Sequence, residues 1–251
     1  MWRNKLLRHT RIKEDNVVRA YILNRKELEN IPYEEAMFTE GRREKIAKVK
    51  HEDDKQLSAA VELLLIYALK QLDPEIALPL QITEEESGNL LLDSPVKGYE
   101  KLFFNLSHSK EYAVCAICDG PVGVDIETIK MKEVAHMDRI LHEKEFQILG
   151  FITNSEEKKR YFYECWVSKE SYLKNLGCGF SVHPSKFMVD EDKFETKEKG
   201  LEKRYVHVYR STEVKNADWH FDAGYRMAIC TKKKDPDVQV EILHAADFSR
   251  N

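Results

Sequence analysis

The run from residue 57 to residue 72 constrains the fold more than any other stretch. Leu57, Ala60, Val61, Leu64, Leu65, Ala68, Leu69 and Leu72 recur at helical spacing. They make one continuous apolar stripe over about five turns, which a folded chain must cover. Pro74 and Pro79 stop the run. Residues 17–23 read as a strand before it. Residues 102–109, 112–118 and 122–127 follow, joined by short turns such as Asp119-Gly120-Pro121, and read as a three-stranded antiparallel unit. Residues 83–101, holding Gly88, Pro95 and Gly98, read as a loop between.

The second half repeats the plan. Residues 133–149 look helical, with Val134, Met137, Ile140 and Leu141 on one side. A long helix is expected over 155–176, N-capped by Ser155 and ended by Gly177. Strand-like segments follow at 180–190, 206–209, 219–221, 225–231 and 238–243, with a charged, solvated hairpin or loop at 191–204. Tyr112-Ala-Val-Cys-Ala-Ile-Cys118 echoes Tyr225-Arg-Met-Ala-Ile-Cys230. The echo suggests two α+β halves of like topology, residues 1–121 and 122–251, with a ligand site at the seam.

Composition narrows the function classes. At 251 residues, 42% hydrophobic and 33% charged, the chain has the make-up of a soluble globular protein. A net charge of -4 argues against a general nucleic-acid binder. No run is long and apolar enough to cross a membrane. The first 15 residues are basic (Arg3, Lys5, Arg8, Arg11, Lys13) without the apolar segment of a secretory signal, and read as a frayed arm. Five cysteines without framework spacing read as reduced, so a cytoplasmic location is expected. Cys115 and Cys118 have C-x-x-C spacing, but on a strand they face opposite ways, which favours a structural role.

Chemistry concentrates at Gly123-Val-Asp-Ile-Glu127. Val122, Val124 and Ile126 alternate with polar residues, so Asp125 and Glu127 share one face of a strand. Two adjacent carboxylates repel unless a cation lies between them, and magnesium is the natural one. The alternative is the solvent face of an edge strand. Asn105-Leu-Ser-His-Ser109 ends a strand in groups able to bond phosphate oxygens. Arg42 and Lys45 share a helix face, as do Trp166, Glu170 and Lys174. Taken singly, the first also suits a strand end with turn-forming serines, the second a solvated helix face and the third a surface Glu–Lys pair.

Together, Asn105-Leu-Ser-His-Ser109, Gly123-Val-Asp-Ile-Glu127 and Trp166-Val-Ser-Lys-Glu170-Ser-Tyr-Leu-Lys174 resemble the signature of the phosphopantetheinyl transferases, of the large, monomeric, surfactin-synthetase-activating type. Gly177-Cys-Gly-Phe-Ser181 and Gly224-Tyr-Arg-Met-Ala228 extend the resemblance. It implies two pseudo-twofold-related α+β subdomains, each an antiparallel sheet packed on a long helix, with coenzyme A in the cleft between them. It also implies magnesium-dependent transfer of the phosphopantetheine arm to a serine of an apo acyl or peptidyl carrier protein. By position, Asp125, Glu127 and Glu170 match the metal site, with Glu170 also the candidate base. Lys174 and Lys169 match pyrophosphate contacts, and Ser107 and His108 coenzyme contacts. Arg42, Lys45 and Ser58 match the 3′-phosphate site. Leu57 and Asn89 stand where the family carries positive charge, and Lys97 or Lys101 is the candidate replacement. Residues 130–150 form either core helix or part of a carrier-docking surface. The competing readings are another magnesium-dependent phosphotransferase or pyrophosphate hydrolase, and a non-catalytic coenzyme A-binding protein.

Overall fold

The computed structural model describes residues 17–86, 90–130, 137–190, 193–210 and 224–249. The N-terminal arm, Asn89, Val134 and the strand expected at 219–221 lie outside the described residues.

Strand β1 (Val17–Asn24) leads through two 3-10 segments to helix α1 (Glu40–Ala47), whose N-cap is Thr39, its hydroxyl accepting from Arg42 N. Helix α2 (Glu52–Leu72) is the stripe foreseen from spacing, and it ends at Asp73 just before Pro74. The segment expected as loop contains a small hairpin, β2 (Ile82–Glu84) and β3 (Leu90–Leu92), too short to show a period in sequence. Strands β4 (Phe103–Ser109), β5 (Tyr112–Cys118) and β6 (Val122–Thr128) follow. The single helix expected at 133–149 is two described pieces, α3 (Met137–Ile140) and α4 (Glu143–Phe151), broken at His142, which caps α4. Helix α5 (Ser155–Leu176) is capped by Asn154, whose side chain accepts from Glu156 N and Glu157 N, rather than by Ser155. It ends at Gly177 in the left-handed region, φ 63°. Then come β7 (Phe187–Val189), β8 (Phe194–Thr196), β9 (Tyr205–Tyr209), β10 (Tyr225–Thr231), β11 (Asp237–Leu243) and α6 (Ala245–Phe248).

The fold is α+β, in four layers. Of the two larger sheets, one runs β11-β1-β5-β4 and one β6-β10-β9. Helix α2 covers the outer face of the first sheet against Tyr21, Leu23, Ala113, Cys115 and Ile117. Helix α5 covers the second through Val167, Tyr172 and Leu173, against Val206, Val208, Ala228 and Cys230. The inner faces meet in a shared core of Val18, Ala20, Ile22, Val114, Ala116, Val124, Ile126, Met227 and Ile229. Cys115 belongs to the outer core and Cys118 to the shared one, as strand alternation requires, and all five cysteines are free. The echoing strands β5 and β10 are both interior strands, and their leading tyrosines meet edge to face at 5.0 Å.

Two expectations need correcting. Strand β11 pairs in parallel with β1, so residues 237–243, read as part of the second half, complete the sheet of the first. A parallel return of this kind leaves no local mark in sequence. Strand β6 does not join β4 and β5 in one three-stranded sheet; its backbone ladder is with β10. Edge strands β4 and β6 are instead stitched by side chains. Asn105 Oδ1, Ser107 Oγ and Ser109 Oγ accept from Val124 N, Ile126 N and Thr128 N at 3.0, 3.3 and 3.1 Å. The alternating polar residues of β4 thus satisfy backbone donors of β6 that the ladder leaves open.

Candidate active site at the seam

The face of β6 turned away from the shared core carries Gly123, Asp125 and Glu127, and α5 lies across it. A Cβ built at Gly123 would fall 2.0 Å from Ser171 O and 2.6 Å from Asn175 N. Only glycine lets the helix backbone come this close. The register follows from two repeats. Residues four apart on a helix rise about 6 Å, and residues two apart on a strand span about 6.6 Å. Trp166, Glu170 and Lys174 are therefore stepped to match Glu127, Asp125 and Gly123. Gly123 is not among the site residues expected from the sequence, although its place two before Asp125 on the same strand face is a usable signal.

The contacts are dense. Lys174 Nζ donates to Asp125 Oδ1 at 2.7 Å, Ser107 Oγ at 3.0 Å and Val124 O at 3.2 Å. Ser107 Oγ in turn donates to Asp125 Oδ1 at 2.8 Å. Ser109 Oγ donates to Glu127 Oε2 at 2.9 Å, and the Trp166 side chain hydrogen-bonds the same carboxylate. Burial, and then the neighbouring Asp125, push the Glu127 carboxyl above its ordinary value. Burial followed by Asp125 raises Glu170 to about 7, against the pull of Lys174. Among the described residues of this site, two buried oxygens have no hydrogen-bond partner, Asp125 Oδ2 and Glu170 Oε1.

Those oxygens test the metal expectation. Among the described residues, no group of three or more His, Cys, Asp or Glu side chains is drawn together closely enough to hold a metal ion. Lys174 occupies Asp125 Oδ1 instead. In kind the residues still suit a hard cation: two orphaned buried oxygens, and the Asp125 charge that raises both Glu127 and Glu170, are what a divalent ion would relieve.

On the other side of the seam, His108 projects at the end of β4. Partial desolvation of the ring, then Lys174, lowers its pKa, with Arg42 adding to the effect and Asp54 opposing it. His108 thus lies within electrostatic reach of both Lys174 and Arg42. Arg42 reaches across to α2, with Nη2 on Ser58 O at 2.7 Å and Nε 3.1 Å from the buried Glu62. Lys45 pairs with Glu84 of the small hairpin.

Three expected contributors lie elsewhere. Lys169 is completely buried on another face of α5, donating to Glu145 Oε2 and Pro184 O, both at 2.9 Å, and to Phe187 O. A helix sends neighbours Lys169 and Glu170 about 100° apart, which adjacency in the motif hides. Lys97 N donates to Asp73 Oδ2 at 2.9 Å. Asp73 follows the C-terminal end of α2, about 22 Å along the helix from Ser58. Lys101 Nζ stacks on the Phe103 ring at 4.7 Å, about 16 Å along β4 from His108. Leu57, where the family carries charge, is core at 1% exposure.

A carboxylate cluster with a lysine set into it, in a seam between two α+β layers, has the form of a group-transfer site. The sequence pattern of the 4'-phosphopantetheinyl transferase superfamily matches residues 121–230. The chain is 34% identical over 169 residues to 4'-phosphopantetheinyl transferase psf-1 of Bacillus pumilus, covering 66% of this chain and 68% of that one. It is 24% identical over 194 residues to 4'-phosphopantetheinyl transferase ffp of Bacillus subtilis, covering 77% and 82%. To 4'-phosphopantetheinyl transferase Sfp of Bacillus subtilis (strain 168) it is 30% identical over 132 residues, covering 53% and 56%. The protein is a transferase. It belongs to the 4'-phosphopantetheinyl transferase superfamily. Among the described residues, no helix is long and apolar enough to cross a membrane.

Proposed function

We propose that this chain transfers the 4'-phosphopantetheine arm of coenzyme A to a serine of an apo acyl or peptidyl carrier protein, releasing 3',5'-ADP. The observation that carries the reading is the Lys174–Asp125 pair beside the orphaned oxygens of Asp125 and Glu170, inside the stretch that matches the family. The carrier serine attacks the β-phosphorus of the pyrophosphate, and the bond from that phosphorus to the leaving ADP oxygen breaks. Asp125, Glu127 and Glu170 would hold a magnesium ion, which when bound supplies charge neutralisation at the pyrophosphate. Lys174 leans toward the developing negative oxygens. Glu170, with its raised pKa, is suited to accept the serine proton near neutral pH. His108 extends the anion groove toward Arg42. Arg42 and Lys45, with Ser58 alongside, hold the 3′-phosphate, and each cation must exchange its pairing with Glu62 or Glu84 to do so.

In this reading residues 1–121 and 122–251 supply the two walls of the cleft, with β11 returned to the first. The protein works as a cytoplasmic monomer, on coenzyme A and carrier protein, and not on nucleic acid or membranes. The test is the intact mass of an apo carrier protein incubated with this protein, coenzyme A and magnesium. A gain of one phosphopantetheine, abolished by a chelator, is expected. No gain with any of several fatty-acid and peptide-type carriers would overturn the reading.

A further inference from the structure

Ser107 and Ser109 do the same thing two residues apart. Each hydroxyl accepts a backbone N–H of β6 and donates its one proton to the carboxylate of the preceding residue, Ile126 N with Asp125 in one case and Thr128 N with Glu127 in the other. A serine hydroxyl has a single proton. Once the backbone amide points at its oxygen, that proton is free for the carboxylate. The seam between the sheets and the aim of the carboxylates are thus set by the same atoms. Ser107 is also bonded to Lys174, so its effects on seam, lysine and carboxylate cannot be separated. Ser109 contacts Thr128 N and Glu127.

We propose that Ser109 is a positioning residue that holds the Glu127 carboxylate in the orientation needed to bind a divalent cation. The inference rests on the metal site of the proposed function and adds to it a residue outside that set. A hydrogen-bond donor behind a metal-ligating carboxylate fixes its rotamer, and losing such a partner typically weakens metal binding about 10–100-fold. Asn105 provides an internal control. Its amide oxygen makes the same kind of rung, to Val124 N, but that oxygen has no proton to pass to a carboxylate.

The experiment measures Mn2+ affinity by the bound-ion signal in electron paramagnetic resonance, on the full chain without coenzyme or carrier. Ser109→Ala should weaken Mn2+ binding about tenfold, and Ser109→Thr, which keeps the hydroxyl, should restore it. Asn105→Ala should lower the melting temperature while binding Mn2+ like the wild type. In turnover, Ser109→Ala should need more magnesium to reach its maximal rate, with KM for coenzyme A unchanged. Equal Mn2+ affinity in Ser109→Ala and wild type would overturn the positioning role and leave the metal site standing. So would an equal loss in Asn105→Ala, which would make the effect one of the seam alone. A wild type that binds no Mn2+ would instead remove the metal site itself, and the role of Ser109 with it.

Discussion

Lys169 and Lys174 come from one motif on one helix and end in opposite surroundings. The difference does not lie in how many partners they have. Lys169 Nζ has Glu145, Pro184 O and Phe187 O; Lys174 Nζ has Asp125, Ser107 Oγ and Val124 O. It lies in access. The Lys169 and Glu145 side chains are 0% and 3% exposed, whereas Lys174 is 29% exposed beside Asp125. Burial pushes Lys169 down and Glu145 up, and their mutual attraction works against both shifts. A sealed pair ties α4, α5 and the approach to β7 together and has no route to a ligand. An open pair can trade its carboxylate for an anionic substrate. Adjacency in sequence is therefore no guide to shared surroundings on a helix.

The largest effect expected from this contrast is on stability. Lys169→Met should cost about 3–5 kcal/mol by leaving Glu145 buried without its partner, read by urea unfolding. Lys169→Met combined with Glu145→Leu should recover much of that loss. A single variant as stable as the wild type would break the comparison.

Lys174→Ala should do the reverse. Its kcat should drop about 100–1,000-fold, the usual cost of losing a donor to developing charge, with a melting temperature near that of the wild type. A collapse in stability instead would place Lys174 in the same class as Lys169.

Gly123→Ala comes next. Its new methyl would strike the α5 backbone at Ser171, so the helix must shift, at about 1–3 kcal/mol for overpacking. Because the shift moves Glu170 and Lys174 away from Asp125, activity should fall further than stability does. An unchanged rate would mean that the close approach of α5 to β6 is not what sets the site.

The smallest effect is a slope with pH. In Lys169→Met the Glu145 carboxyl, already held up by burial, loses the neighbour that lowers it. The folded variant then keeps a proton that the unfolded chain releases above the ordinary value of 4.5. A raised carboxyl pKa makes stability fall as pH rises. The deficit against wild type should therefore widen between about pH 5 and pH 7. A deficit independent of pH would show that Glu145 stays ionised without its lysine.

Much of this molecule is legible in its sequence where the signal is local. The stripe from Leu57 to Leu72, the alternation of Val122, Val124 and Ile126, and the αL stop at Gly177 each reflect a repeat that the backbone imposes within a few residues. The same holds for Asp125 with Glu127 and for Trp166, Glu170 and Lys174, whose shared faces follow from strand and helix periods. What escaped had no local period. The β2–β3 hairpin is too short, the break at His142 depends on a cap, and β11 returns to β1 across the whole chain.

By itself, then, the sequence determined which residues share a face, because face is a matter of backbone repeat. Only the tertiary structure decided which faces meet. It turned Lys169 into the core and Lys174 into the seam, and engaged Arg42 with Glu62 and Lys45 with Glu84. It also made the serines of β4 the join between two sheets rather than the end of one. The physical reason is that burial and pairing are relations between segments far apart in the chain, set by how layers stack around the shared core.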